Sequence, residues 1–523
     1  MSAMSAMSLY PHAALPSPWA EALATDWAQD PIPPVLWSVA GTDSGGAAGL
    51  SADTRAAVAM GVHLCPVVAA VTAQNSVGVQ AVFALPAAQI RSQLQALAAD
   101  LPPRVIKTGL LASVAAVEAV AEMVDQLRAA QGELGLVVDP VLGATAGGAA
   151  FADAALLTAY RTLLLPRATL ITPNRREAER LLDAAPGALR VPALAAALRA
   201  RFPDAAVCIT GGDDAAAGKL ALDWWDGAST TGWLALPRLA TRHHHGSGCT
   251  FATAAAAALA RGFSGPEAAV LAKMLGWCAL RDGHAAGAGA GPLRPTHRFI
   301  DDPAALPLAS FGDEAPAADW PALLRGEWPA ARFEPGLYAI TDDPARVAAL
   351  AASGRFAQIQ LRIKHGDEAQ LGAAVRQALA GMGAQGDRLW INDHAALALA
   401  EGATGLHLGQ EDWAALTPVQ RARLRAQVAH GRLRLGVSSH SLWELARARG
   451  LAPNYIACGP IWSTTTKAMP WQPQGLAQLR WWVRMAGRPV VAIGGILGAE
   501  QIAQANASGA AGVCLVRGLE GQA

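Results

Sequence analysis

The run His245-Gly246-Ser247-Gly248-Cys249-Thr250 places small residues and one thiol at the mouth of an alanine-rich stretch. Small residues let backbone N–H groups approach a phosphate, and the start of a helix adds positive potential. A thiol at Cys249 is expected to have a lowered pKa there, which suits a base that deprotonates a hydroxyl. Alone, Gly246-Ser247-Gly248 is weak evidence, because a tight helix entry needs the same residues. Other polar groups close apolar runs. Asp139-Pro140 ends one, and Thr172-Pro173-Asn174 with Glu177 ends another, offering an amide and a carboxylate for Mg²⁺. The stretch Ala40–Gly46 follows the first run and could close over a small substrate. In-line phosphoryl transfer needs this kind of positioning and charge neutralisation more than covalent chemistry. His243-His244-His245 lacks partner ligands at metal-binding spacing and reads better as the flank of the phosphate loop.

A second set lies further along. Gln360, Arg362 and Lys364 alternate, so a strand end would point all three the same way, two cations and an amide forming a pyrophosphate clamp. Asp393 and Asp412 follow different runs and could share one Mg²⁺. Thr464, Thr466 and Lys467 add hydroxyl and ammonium donors, and Gly494-Gly495 could bind phosphate through backbone N–H groups. Barrel-rim salt bridges would explain any one pair, but not all of these groups together at strand ends. Of 41 basic residues only five are lysine (Lys107, Lys219, Lys273, Lys364 and Lys467), so each is a candidate for a role that needs a compact ammonium.

The elements that must position these groups follow from the apolar pattern. From Val35 to about Gly283, strand-like runs (Val35–Ala40, Val67–Val71, Val105–Lys107, Leu136–Val138, Leu170–Thr172, Ala206–Thr210) alternate with Ala/Leu-rich helical stretches, which predicts a layered α/β domain with a mostly parallel sheet. From Gly336 there are eight such runs: Gly336–Ile340, Ile359–Leu361, Leu389–Ile391, Gly405–Leu408, Leu433–Val437, Tyr455–Cys458, Val490–Ile493 and Gly512–Leu515. They predict a (β/α)₈ barrel with its site at the C-terminal rim, an open α/β sheet being the alternative. The division expected is a tail over residues 1–33, a first domain over 34–285, a flexible connection over 286–334 with a short helix near Trp320–Leu324, and a second domain over 335–523.

Composition bounds the rest. At 523 residues the chain is too long for one core, and 52% hydrophobic with 16% charged residues is a globular balance. Zero formal net charge argues against nucleic acid or an anionic membrane surface as a partner. The first basic residue is Arg55, which gives no n-region for a signal peptide, and the six cysteines have no metal-ligand spacing. The location expected from this is the cytoplasm.

Over residues 35–285, the motifs Ala40–Asp53, Thr72-Ala73-Gln74-Asn75, Lys107-Thr108-Gly109, Asp139-Pro140-Val141, Thr172-Pro173-Asn174-x-x-Glu177, Thr210-Gly211-Gly212 and Gly246-Ser247-Gly248-Cys249 resemble the hydroxymethylpyrimidine/phosphomethylpyrimidine kinases of thiamine synthesis. The resemblance implies a ribokinase-like fold and two successive phosphorylations, of the alcohol and then of its monophosphate. It implies that Gly41, Asp53 and Gln74 bind the pyrimidine and that Cys249 is the base, beside an anion hole at Gly246–Cys249. Asn174 and Glu177 would serve Mg·ATP, with Asp139 and Thr210 in the ATP- and anion-binding set. Two departures stand out: the loop Asp43–Gly49 is rearranged, and Thr145 stands where some members carry Lys.

Over residues 336–519, the motifs Gln360-x-Arg362-x-Lys364, Asn392-Asp393, His407-x-Gly409-Gln410-Glu411-Asp412, Gly436-Val437-Ser438, Gly459-Pro460-Ile461, Thr464-x-Thr466-Lys467 and Ile493-Gly494-Gly495-Ile496 resemble thiamine phosphate synthase, a TIM barrel. The resemblance implies that pyrimidine diphosphate and thiazole phosphate are joined with release of pyrophosphate. The C–O bond would break first to leave a pyrimidine methylene cation, with Arg362, Lys364, Asn392 and Lys467 holding the departing group. Ser438 would contact the pyrimidine, and Thr464, Thr466 and Gly494 the thiazole phosphate. Arg517 stands where members often carry a small hydroxyl residue, and could replace that phosphate contact with a charged one. The product of the first domain would thus be the substrate of the second. The implied ligands are small molecules, with Mg²⁺ as cofactor, ATP as co-substrate and a homo-oligomer possible. A different reading makes the barrel a non-catalytic regulator that binds thiazole or thiamine phosphates, but such a relative would be expected to lose the clamp and metal residues kept here. A third sends the kinase to a sugar or to pyridoxal; Cys249 and Gln74 argue against a sugar.

Overall fold

The computed structural model describes residues 27, 30–143, 153–212, 218–463 and 473–522. The chain divides into two compact units, one running to Leu324 and the other from Arg325.

The first unit is built on a ten-stranded sheet. Its strands are β1 (Val35–Gly41), β2 (His63–Gln74), β3 (Val79–Ala84), β4 (Val105–Thr108), β5 (Gly135–Val138), β6 (Leu170–Ile171), β7 (Ala206–Ile209), β8 (Leu220–Asp226), β9 (Thr231–Pro237) and β10 (Leu308–Ala309), in the order β10-β9-β8-β7-β6-β5-β4-β1-β2-β3. The pairings from β2 through β1, β4, β5 and β6 to β7 are parallel. The two flanks, β3 on one side and β8–β10 on the other, are antiparallel. The central strands are buried on both faces, as expected when helices cover both sides of a parallel sheet. All six runs read from the sequence are strands, while β3, β8, β9 and β10 were not anticipated.

The second unit is a closed barrel of eight parallel strands: β11 (Gly336–Thr341), β12 (Phe356–Leu361), β13 (Leu389–Asn392), β14 (Gly405–Leu408), β15 (Arg434–Ser439), β16 (Tyr455–Cys458), β17 (Val490–Ala492) and β18 (Gly512–Leu515). Each coincides with a run read from the sequence. Tyr338, Ile340, Trp390, Tyr455, Val491 and Cys514 form one buried interior cluster, so the barrel is a packed core and not a pore.

Much of the stretch expected to be a flexible connection is ordered and apolar. Leu293, Phe299, Ile300, Leu306, Phe311, Trp320 and Leu323 are buried, and β10 adds an edge strand to β9 through Leu308↔Ala235 and Ala309↔Leu234. The anticipated helix is present at Trp320–Leu324. Further on, the Phe333 ring lies 5.0 Å from that of Tyr455 and joins the barrel's interior cluster. Glycine and alanine give this stretch no periodicity because its buried residues are fixed by partners distant in sequence. Most of the expected tail lies outside the described residues, but Trp27 is buried against Phe263 and His297, with the Arg261 guanidinium 4.7 Å over its ring. Among the described residues no helix is long and apolar enough to cross a membrane.

Candidate functional site

In the first unit the polar motif residues collect at the C-terminal ends of parallel strands, where open α/β sheets bind ligands. Gly41 ends β1, Asp139 follows β5, Asn174 follows β6 and Thr210 follows β7, with an isolated bridge joining Asn174 to Thr210. The helix Ser247–Ala260 begins with Gly246 at φ +87°, a conformation that favours glycine. A Cβ there would also sit 2.2 Å from the Ala47 carbonyl oxygen, whereas one on Gly248 would meet open space. The turn is therefore locked on one side and open on the other, which is the shape an anion needs to reach the backbone amides.

The rearranged loop is organised by Asp43, which is buried and accepts backbone N–H bonds from Gly45 (2.8 Å), Ala47 (3.0 Å) and Ala48 (2.7 Å). His245 Nε2 lies 3.5 Å from Asp43 Oδ2 and 2.8 Å from Gln74 Nε2, so His245 ties the loop and Gln74 to the anion-hole turn. Burial lowers the His245 pKa despite the opposing attraction of Asp43.

Two expectations are corrected here. Asp53, expected as a pyrimidine ligand, is wholly buried: its oxygens accept from Lys107 Nζ (3.0 Å), Ser38 Oγ (2.6 Å) and Thr253 Oγ1 (2.8 Å). It supports Lys107 from beneath the site. Burial opposes the Lys107 charge, yet the attraction of Asp53, with Cys249 and Asp139, holds its pKa above the ordinary lysine range. Lys107 was singled out by its rarity and motif, but not as a site residue. Cys249 is half-buried, and its thiol is not lowered. Burial, with Asp53 and Asp139, pushes it up to about 12 against the pull of Lys107 and the Gly49 amide. Desolvation outweighs the helix terminus.

Asn174 and Glu177 form a capping box: the Glu177 amide donates to Asn174 Oδ1 (3.0 Å), and the Asn174 amide donates to Glu177 Oε2 (2.9 Å). The sequence expectation had not assigned them this structural duty. Burial and the charge of Asp139 push the Glu177 carboxyl up to about 8; burial pushes Asp139 up to about 6, with Lys107 opposing.

In the barrel the groups gather at the C-terminal rim. Gln360 is the next-to-last residue of β12, is buried and donates to the Tyr338 hydroxyl at 3.3 Å. Arg362 is half-buried and Lys364 exposed, so of the three alternating residues only Gln360 is fully enclosed. Lys364 Nζ lies 3.2 Å from Asp393 Oδ2. Asn392 is buried at the end of β13. Asp393 has φ +58°, a strained setting for a non-glycine residue that recurs at functional sites. The Asp412 carboxyl accepts from the Gly409 amide (3.0 Å) and lies against that of Asp393; burial and Asp393 raise its pKa, while Gly409 and Lys364 oppose. Ser438 Oγ is 2.9 Å from His407 Nε2. Gly494 and Gly495 have φ +94° and +73°, and a Cβ on Gly494 would fall 2.6 Å from that of Pro460. Arg517 is exposed just after β18. Thr464, Thr466 and Lys467, like Thr145, lie outside the described residues.

The comparisons agree with this two-part layout. A family model described as phosphomethylpyrimidine kinase matches residues 43–294, and one described as thiamine monophosphate synthase matches 337–519. The chain is 32% identical over 481 residues to a "Probable thiamine biosynthetic bifunctional enzyme, chloroplastic" of rice, covering 89% of this chain and 81% of that protein. It is 33% identical over 511 residues to the "Thiamine biosynthetic bifunctional enzyme TH1, chloroplastic" of Arabidopsis thaliana, covering 93% and 90%. A hydroxymethylpyrimidine/phosphomethylpyrimidine kinase of Streptomyces coelicolor is 40% identical over 265 residues, covering 50% of this chain and 94% of that one. The cytoplasmic location expected from the sequence does not stand, because the rice and Arabidopsis relatives, which each cover most of this chain, are named as chloroplastic. With a layered α/β kinase domain followed by a closed thiamine phosphate synthase barrel, the chain belongs to the bifunctional thiamine biosynthetic enzymes.

Proposed function

We propose that the two sites work in sequence on one pyrimidine, with the roles assigned as follows. The Gly246–Cys249 amides receive the phosphoryl group of ATP as it moves to the hydroxymethyl oxygen, and Cys249, in its thiolate form, takes the hydroxyl proton to become the thiol. Gln74 and the loop around Gly41 hold the pyrimidine, while Asn174 and Thr210 serve the nucleotide. The same site then phosphorylates the monophosphate. In the barrel, Arg362, Lys364 and Asn392, with Lys467, hold the diphosphate as its C–O bond breaks, and the thiazole nitrogen attacks the resulting methylene cation. Gly494, Thr464, Thr466 and Arg517 hold the thiazole phosphate. The observation that carries the synthase reading is the convergence of Lys364, Asp393 and Asp412 from separate strand ends.

Both sites suit a hard dication. In the kinase, burial raises Asp139, and burial with Asp139 raises Glu177; in the barrel, burial with Asp393 raises Asp412; and Mg²⁺ takes one or two protein carboxylates plus substrate phosphates. Among the described residues no group of three or more His, Cys, Asp or Glu side chains forms a closed metal cage, which fits a metal shared with substrate. When bound, Mg²⁺ would neutralise phosphate charge, held by Asp139 and Glu177 in the kinase and by Asp393 and Asp412 in the barrel.

The carboxyl pair makes a pH prediction. Glu177 binds its proton more tightly in the fold, at about 8, than an unfolded glutamate does, at about 4.3. The fold therefore bears no cost from it below the unfolded value and loses stability as pH rises through the folded value. Glu177→Gln, which can keep the capping box, is expected to melt higher than the parent at pH 8.5 with the gap narrowing at pH 5. Mg²⁺ should raise the melting temperature of the parent more. Coincident melting curves at both pH values, with and without Mg²⁺, would contradict the assignment.

The function is tested in one pot with Mg·ATP, hydroxymethylpyrimidine and thiazole phosphate. Thiamine phosphate should form, stop without ATP, and resume on addition of pyrimidine diphosphate. Accumulation of the diphosphate alone would move the barrel to the regulatory reading. In the same assay Arg517→Ser should raise KM for thiazole phosphate only, and an unchanged KM removes Arg517 from that site.

A further inference from the structure

A line of hydrogen bonds crosses the barrel interior. Gln360 Nε2 is 3.3 Å from the Tyr338 hydroxyl, which is 2.8 Å from the Tyr455 hydroxyl. That hydroxyl is 2.7 Å from His407 Nδ1, and His407 Nε2 is 2.9 Å from Ser438 Oγ. Gln360, Tyr338, His407 and Tyr455 are all buried, so water is not free to supply alternative partners. The imidazole stacks on the Tyr455 ring at 13° and 5.5 Å between centroids, which fixes its plane.

The protons on this line can be counted. Tyr338 accepts from the Gln360 amide, so its own proton is directed to Tyr455. Tyr455 accepts that bond and donates to His407 Nδ1. A neutral imidazole that accepts at Nδ1 carries its proton on Nε2 and donates it to Ser438 Oγ. The Ser438 hydroxyl, already accepting, keeps its own proton for another partner.

We infer that this relay fixes His407 as the Nε2–H tautomer and, through it, the place of Ser438 Oγ, with His407, Tyr455 and Tyr338 as positioning residues for the pyrimidine of the diphosphate. The inference rests on the reading of Ser438 as a pyrimidine contact. A hydroxyl that accepts once keeps one donor and one free lone pair, so Ser438 held in this place can meet either a ring nitrogen or an exocyclic amine of the pyrimidine.

Two measurements separate the relay from the reading beneath it. In full-length protein labelled with ¹⁵N-histidine, with His407→Gln used for assignment, long-range ¹H–¹⁵N correlations should show His407 protonated at Nε2 and bare at Nδ1. Tyr455→Phe should lose that single tautomer. Its KM for the pyrimidine diphosphate should rise about 10-fold while KM for thiazole phosphate stays put. His407→Gln, whose amide can stand in for Nε2–H, should keep more activity than His407→Leu. A proton found on Nδ1 in the parent overturns the relay. The Nε2 tautomer with an unchanged pyrimidine KM in Tyr455→Phe overturns positioning through Ser438, and an unchanged KM in Ser438→Ala as well overturns the assignment of Ser438 to the pyrimidine.

Discussion

Cys249→Ala is expected to lower kinase turnover by about 10²–10⁴-fold while leaving ATP affinity nearly unchanged. The residue sits in the first turn of the helix Ser247–Ala260, beside the amides that would receive the phosphoryl group, and its thiol takes a hydrogen bond from the Gly49 amide. In the free protein burial, with Asp53 and Asp139, pushes the thiol up to about 12, which favours its neutral form at pH 7. A base of that kind leaves a mark: turnover climbs with pH through the neutral range, and the climb disappears when the base is removed. Cys249→Ser separates shape from proton affinity, because the hydroxyl fills the same place but ionises still less readily. An inactive serine variant that binds ATP normally supports proton transfer to sulfur. Full turnover in the alanine variant, with a pH profile parallel to the parent, takes Cys249 out of the proton path.

Lys107→Met is expected to destabilise the kinase domain by about 3–5 kcal/mol, the usual cost of stranding one member of a buried ion pair. Lys107 and Asp53 are 3.0 Å apart, and neither side chain is exposed. Without the ammonium, Asp53 keeps only the hydroxyls of Ser38 and Thr253, too little to solvate a buried carboxylate. In a domain of this size that is a drop of about 6–15 °C in Tm by calorimetry. The double variant Lys107→Met/Asp53→Leu should recover a good part of it, since an apolar pair removes the stranded charge as well as the bond. A single variant that melts with the parent would mean that Asp53 is already protonated or reached by water.

The barrel was legible strand by strand because its strands are short, mostly apolar runs, several of them followed by polar residues such as Arg362 and Asp393. The kinase sheet was legible only where it is parallel. In β8, Asp223 and Asp226 break the apolar run, and the partners that make them tolerable lie far away: Asp223 pairs with Lys273 at 2.8 Å and Asp226 with Arg199 at 3.1 Å. No local pattern announces such partners. The scarcity of lysine was informative in a different sense from the one expected. Lys107 and Lys273 serve buried ion pairs, and Lys364 reaches the carboxylate of Asp393. The roles of Asp53 and Asp139 were likewise hidden, since motif position locates a carboxylate but not its burial. The hydrogen-bonded tyrosines were missed because Tyr338 and Tyr455 read as ordinary apolar strand residues.

The strand β10 has a bearing on how the two catalytic halves can be parted. It is the last strand of the kinase sheet, yet it comes from a stretch whose composition suggests a dispensable tether. A fragment ending at residue 285 would bare the hydrogen-bonding edge of β9 together with the apolar sites that Phe299, Leu306, Phe311 and Trp320 fill, and an open, flat strand edge is a template for aggregation. A soluble excised kinase, or a chimaera that exchanges one catalytic half, is therefore best cut between Leu324 and Arg325.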